Sequence, residues 1–169
     1  CLEWIRARDR ERPFLLYCHF KAPHRAWQPD EAHGGMYEGV EIPLPETFDD
    51  DYATRSSAAQ IQTMTVEKHL TKTDLKADPP PGLSGHDLKV WKYQRYIKDY
   101  LRCVASVDDN VGRIMAFLEA EGLEKNTVVI YTSDQGSFLG DHGWYDKRFM
   151  YEEALRSPLI VRYPPEVPP

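Results

Sequence analysis

The sequence has 169 residues, 41% hydrophobic and 28% charged, with a formal net charge of −6. That length sustains one sizeable core, and the acidic balance argues against a nonspecific nucleic-acid footprint, which needs a basic face. A polyanionic sugar bound in a local cationic pocket stays open, whereas no apolar run is long enough for a transmembrane helix and the first residues show no signal-peptide pattern.

In chain order, residues 2–12 predict an amphipathic helix with Leu2, Trp4 and Ile5 apolar and four arginines solvated. Pro13 opens residues 14–18, a continuous apolar run that reads as a buried strand of parallel-sheet type. A loop with Lys21, Pro23 and His24 follows. The Asp49-Asp50-Asp51 run lacks the alternating donors and closing glutamate of an EF-hand, so it reads as a solvated run or a helix cap. Residues 56–70 have helical character, and residues 78–82 are a Pro-Gly break. Residues 88–121 are the longest periodic segment, with Ile97, Leu101, Val104, Val107, Val111, Ile114 and Leu118 on one stripe and Gly122 as the cap. Residues 128–131 and 159–161 are two further apolar strands. Strand, excursion, long helix and strand together predict a crossover, so the expected fold class is α/β with a mostly parallel sheet flanked by helices. Of the three cysteines, Cys1, Cys18 and Cys103, no two form a CxxC pair, and the last two read as small buried hydrophobes. The first residue is not methionine and the last strand runs straight into prolines, which reads as an internal piece of a larger enzyme.

In open α/β sheets ligands sit beyond the carboxyl ends of the strands, which is where Asp134 and Gln135 fall. A carboxylate beside an amide carbonyl gives hard oxygen donors suited to Ca²⁺ or Mg²⁺. Lys147 suits charge neutralisation on an anionic ester, and histidine is a residue type suited to general acid catalysis, a role open to His24. Plainer readings stand beside these. Lys21 reads also as a solvated loop lysine, Lys147 as a helix-start surface lysine, His24 as an idle loop histidine, and His142, on Gly140-Asp141-His142-Gly143, as a structural one. Trp144 and Tyr145 either stack on a sugar face or pack the loop.

The run TSDQGSFLGDHGWYDKRFMYEEALRSPLIVRYP, residues 132–164, resembles the second signature region of the type I sulfatases, in the alkaline phosphatase-like superfamily. Asp134, Gly136, Gly140, His142, Gly143, Lys147, Tyr151, Glu152, Arg156, Pro158 and Leu159 carry that likeness. The Lys21-Ala22-Pro23-His24 loop resembles the family's segment near the sulfate ester, and Tyr100, Val104, Val107, Asp108, Val111 and Gly112 resemble the helix before the signature strand. Asp134-Gln135-Gly136 and the run from Gly140 to Glu153, together with Asp50-Asp51-Tyr52-Ala53 and Glu67-Lys68-His69-Leu70, look most like sulfatases acting on N-acetylglucosamine 6-sulfate in glycosaminoglycans.

The resemblance implies catalytic roles for Lys147 and His24, substrate contacts at His142 and Lys21, and Ca²⁺, with Mg²⁺ as the alternative, on Asp134 and Gln135. Gln135 departs from the Asn or His more usual there. It also implies a formylglycine nucleophile from a residue outside this chain, since no cysteine or serine here stands in a Cys/Ser-x-Pro/Ala-x-Arg motif. Residues 1–169 are then the C-terminal portion of the catalytic domain, incomplete at both ends and inactive alone. The implied partners are a sulfated carbohydrate substrate and a formylglycine-generating or anaerobic sulfatase-maturating enzyme, and the implied location is periplasmic, secreted or lysosomal. Iduronate or another sugar sulfatase, a phosphomonoester or phosphonate hydrolase of the same fold, and a noncatalytic sulfated-glycan-binding homologue are the alternatives.

Overall fold

The computed structural model describes residues 1–167. Its axis is helix α5 (Gly85–Ala120). The N-terminal half of α5 buries Tyr93, Tyr96, Ile97 and Cys103 against Trp27, Phe48, Val66, Leu70, Leu75 and Tyr145. The other end buries Phe117 and Leu118 against Ile5 of α1 (Leu2–Ala7), which is shorter than the helix expected over 2–12. Of the apolar stripe read from sequence, Ile97, Val107 and Leu118 are buried, Leu101, Val111 and Ile114 are half-buried, and Val104 is exposed. Helix α5 stops where Gly122 takes φ +67°, so that the Leu123 amide reaches the Leu118 carbonyl at 2.8 Å. Cys18 and Cys103 are half-buried and buried, and all three cysteines are free thiols.

The helix expected over 56–70 is broken into α2 (Ser57–Gln60) and α3 (Val66–His69). Between them the Met64 carbonyl accepts the Tyr145 amide at 2.9 Å, and Thr65 forms an antiparallel bridge with Trp144. Tertiary pairing outweighs helix propensity here. Helix α4 (Lys72–Leu75) follows, opened by a capping box between Thr71 and Asp74.

The expected mostly parallel sheet is corrected by the structure, which is a small α/β fold with two short antiparallel sheets among the described residues. Strand β1 (Val129–Thr132) runs antiparallel to β4 (Leu159–Arg162), with Val129 opposite Arg162. Strand β2 (Phe138–Leu139) pairs antiparallel with β3 (Tyr145–Asp146). Residues 14–18 join no ladder, and a groove of about 750 Å³, lined by Leu15, Cys18, Val129 and Ile130 among others, separates them from β1. The physical reason lies in what an apolar run encodes. It signals apolar surroundings and not strand direction. A parallel return needs a crossover, whereas the chain between β1 and β4 is spent on the β2–β3 pair and the one-turn helix α6 (Glu152–Leu155), and comes back alongside β1 reversed.

Candidate active site

The stretch after β1 is held by its neighbour α6. The Gly136 amide donates to the Ala154 carbonyl at 2.9 Å, so the backbone here lies against the helix with no room between. A Cβ on Gly136 would lie 2.1 Å from the Glu153 carbonyl oxygen and 2.5 Å from that of Arg156. Glycine is therefore required at 136 for close approach, not for a left-handed backbone. Asp134 and Gln135 sit just before this clamp, Asp134 exposed and Gln135 half-buried.

From Gly136 the chain enters β2 and returns in β3, with Phe138 opposite Asp146. Asp146, the last residue of β3, takes φ +70° and turns the chain at Lys147, and the Ser137 hydroxyl donates to the Asp146 carbonyl at 3.3 Å. Asp134 and Gln135 thus lie in the segment before β2, and Lys147 directly after β3. The Lys147 side chain is 23% exposed, with its ammonium 4.0 Å from an Asp146 carboxylate oxygen. Asp146 is buried, and Arg148 lies 3.6 Å from its other oxygen.

The loop bearing His24 reaches the same hairpin through Arg25. The Arg25 guanidinium lies 5.1 Å from the centre of the Tyr145 ring, two residues before Lys147. Asp74 grips that guanidinium with two contacts of 2.6 Å. Burial pushes the Asp74 carboxyl up, yet its hydrogen bonds to Arg25 and Thr71 outweigh this and leave it below its usual value. Burial also pushes the Tyr145 hydroxyl up to about 12 despite the nearby Arg25 cation. His24 is exposed, and its Nδ1 lies 2.7 Å from the Arg25 carbonyl oxygen. A carbonyl only accepts, so Nδ1 carries the hydrogen and Nε2 is the edge left free. Lys21 is exposed, and its carbonyl closes the loop by accepting the His24 amide at 3.0 Å.

His142 stands at the opposite end of the hairpin. It is 5% exposed, with Nδ1 2.7 Å from Asp50 and Nε2 3.7 Å from Glu153. Its amide donates to the Thr47 hydroxyl at 3.0 Å and its carbonyl accepts from the Tyr52 hydroxyl at 2.5 Å. In the structure Asp134 and Gln135 precede β2, Lys147 follows β3, the His24 loop is joined to β3 through Arg25, and His142 lies apart inside the protein. Trp144 and Tyr145 are fully buried and pack the loop.

Asp49, Asp50 and Asp51 are not a metal loop. Asp49 is bonded to Lys89 and His86, Asp50 to Arg55 and His142, and Asp51 caps the Ala53 amide. Burial pushes the Asp50 carboxyl up, but the Tyr52 amide, Arg55 and His142 overturn this and hold it at about 2. No three or more His, Cys, Asp or Glu side chains are grouped as a metal cage among the described residues. Asp134 and Gln135 fit a hard cation in donor type, as a carboxylate and an amide carbonyl adjacent in the chain. Asp74 and Asp50 were not foreseen as site supports. The Thr71-x-x-Asp74 spacing is a capping-box signal that could have marked Asp74, whereas the Asp49-Asp50-Asp51 run draws notice to Asp50 but not to its partner His142.

An exposed carboxylate, a half-buried amide and a half-buried lysine thus flank the β2–β3 pair in the chain, with the His24 loop joined to that pair through Arg25. The chain belongs to the sulfatase family, whose family model, Sulfatase, matches residues 1–169. It is 40% identical over 203 aligned residues to an N-acetylglucosamine-6-O-sulfatase of Bacteroides thetaiotaomicron, covering 96% of this chain and 36% of that protein. It is 35% identical to the iduronate 2-sulfatase of Mus musculus, covering 93% of this chain and 28% of that one. The chain thus spans about a third of the length of these curated relatives. Among solved structures it matches BT4656 in complex with its substrate D-glucosamine-2-N,6-O-disulfate, with a TM-score of 0.93 and 39% identity, over 97% of this chain and 41% of that one.

Proposed function

We propose that the complete polypeptide carrying these residues is a sulfuric ester hydrolase that removes the 6-O-sulfate of N-acetylglucosamine from glycosaminoglycan-type sugars. The observation that carries this reading is that the end of the β2–β3 pair where Phe138 faces Asp146 has Asp134 and Gln135 upstream of it in the chain and Lys147 directly downstream. The 40% identity to an N-acetylglucosamine-6-O-sulfatase supports the sugar. The residues divide the work by their chemistry. Asp134 and Gln135 hold one side of a Ca²⁺ or Mg²⁺ ion. Lys147 faces the sulfuryl oxygens, where a fixed ammonium offsets developing charge without reorganisation. His24 turns its Nε2 edge to the ester, and as the imidazolium it donates a proton to the departing sugar oxygen. Lys21, exposed at the start of the same loop, adds positive charge for an anionic ligand. His142, bonded to Asp50, serves the ligand by fixing the 140–144 loop. The metal ion and a formylglycine from outside these residues supply, when present, the Lewis acid and the nucleophile.

The reading includes maturation by a formylglycine-generating or anaerobic sulfatase-maturating enzyme, and a periplasmic, secreted or lysosomal location. It treats residues 1–169 as the C-terminal portion of the catalytic domain. The test is sulfate and phosphate release by the matured complete polypeptide on 6-sulfated N-acetylglucosamine, a 2-sulfated uronate and a phosphate monoester. Release from the first, abolished by chelation and lowered ~100-fold or more in kcat by Lys147→Ala, is expected. Release from the uronate alone keeps the class and rejects the sugar. Preferred phosphate release, or none from any substrate with formylglycine in place, rejects the sulfatase reading.

A further inference from the structure

Arg25 is tied at both ends to different parts of the site. Its carbonyl holds the Nδ1 edge of His24 at 2.7 Å. Its guanidinium is gripped by Asp74 at 2.6 and 2.6 Å and lies over the Tyr145 ring. We propose that Arg25, locked by Asp74, is a positioning residue: it fixes the tautomer and direction of the His24 ring and couples the His24 loop to the strand that leads into Lys147. This rests on the reading that His24 and Lys147 serve the ester.

The lock is stiff because Asp74 has no freedom to follow a displaced partner. Besides Arg25, its carboxylate accepts the Thr71 amide at 2.7 Å and the Thr71 hydroxyl at 2.6 Å, and the residue is 2% exposed. The planar guanidinium matches this carboxylate through two parallel contacts, a geometry that a lysine ammonium does not reproduce. The aromatic floor is equally constrained. The Tyr145 hydroxyl donates to the His69 carbonyl at 2.8 Å and its amide to that of Met64 at 2.9 Å. Arg25 therefore has one place to be, and its carbonyl presents one acceptor to His24. With Nδ1–H engaged there, the neutral ring turns a lone pair outward from Nε2 and only the imidazolium turns out a donor. Without this hold both neutral tautomers are open, and the distance from His24 to Lys147 is no longer fixed. A misplacement of about 1 Å at a reacting centre costs on the order of 100-fold.

The experiment compares wild type with Arg25→Lys and Asp74→Asn in the complete, formylglycine-loaded polypeptide. It reads kcat and KM for a sulfate ester, thermal unfolding, and the ¹⁵N signals of the His24 ring. Arg25→Lys keeps the charge and removes the fork. It is expected to lower kcat ~10- to 100-fold with a smaller change in KM, and to replace the single Nδ1–H form of His24 with a mixture of tautomers. Asp74→Asn is expected to do the same, and if it fails to fold, Arg25→Lys decides alone. A lowered unfolding temperature with wild-type kcat per folded site and an unchanged His24 pattern overturns the proposal. Should His24→Ala turn over the ester as well as wild type, the active-site reading fails, and the His24 tautomer in Arg25→Lys still decides whether Arg25 positions the ring.

Discussion

Replacing Gly136 by alanine tests whether the turn before β2 is held by close approach to α6. The new methyl would start 2.1 Å from one carbonyl oxygen and 2.5 Å from another, both backbone atoms that no side-chain rotation can move. Restoring an allowed contact means shifting the turn or the helix by roughly 1 Å, given that overpacked sites relax only through backbone shifts costing about 1–3 kcal/mol. The 2.9 Å hydrogen bond from Gly136 to Ala154 is then lost or bent, adding about 1 kcal/mol. Gly136→Ala is thus expected to destabilise by about 2–4 kcal/mol. Gly112→Ala is the control. That glycine lies in α5 with nothing within 4 Å of its Cβ position, so alanine should stabilise by about 0.5–1 kcal/mol. Urea unfolding of both variants in the complete polypeptide gives the comparison. A Gly136→Ala variant within about 0.5 kcal/mol of wild type, the range of ordinary surface substitutions, would refute the reasoning.

Trp144→Ala should be the more damaging core change. Trp144 is fully buried and packs on Phe138, Tyr52, Phe149 and Tyr151, so its removal is expected to cost about 3–5 kcal/mol in the same unfolding assay. Acid stability should follow Asp50, whose folded value of about 2 lies below the ordinary 3.8. A depressed carboxylate contributes fully above its unfolded value and loses that contribution as pH falls through the folded one. Unfolding of wild type and Asp50→Asn should therefore differ most above about pH 4 and converge toward pH 2; a gap that stays constant over that window would show that the charge of Asp50 is not what counts.

Local signals in the sequence were strong where the structure is local. Helix α5 and its Gly122 terminator follow from spacing and one glycine, because burying a stripe and ending a helix need only neighbours in sequence. The motif residues Asp134, Gln135 and Lys147 were singled out from the sequence, and in the chain they flank the short β2–β3 return. What sequence did not carry was partnership at long range. Strand direction, the break at Met64 and Thr65, and the grip of Asp74 on Arg25, 49 residues away, are decided by pairing across the fold. The burial of His142 depends in the same way on Asp50, 92 residues distant.

The β1–β4 ribbon has a practical consequence for handling the polypeptide. Leu159 is 71% exposed, Ile130 and Ile160 are 60% exposed, and residues 127–132 read Thr-Val-Val-Ile-Tyr-Thr with neither charge nor proline. A short uncharged β-forming window on an open two-stranded edge is the composition that templates intermolecular strand pairing. These 169 residues prepared by themselves should therefore associate through that ribbon as concentration rises, and a lysine at the outward Ile160 position is the natural gatekeeper for keeping them dispersed.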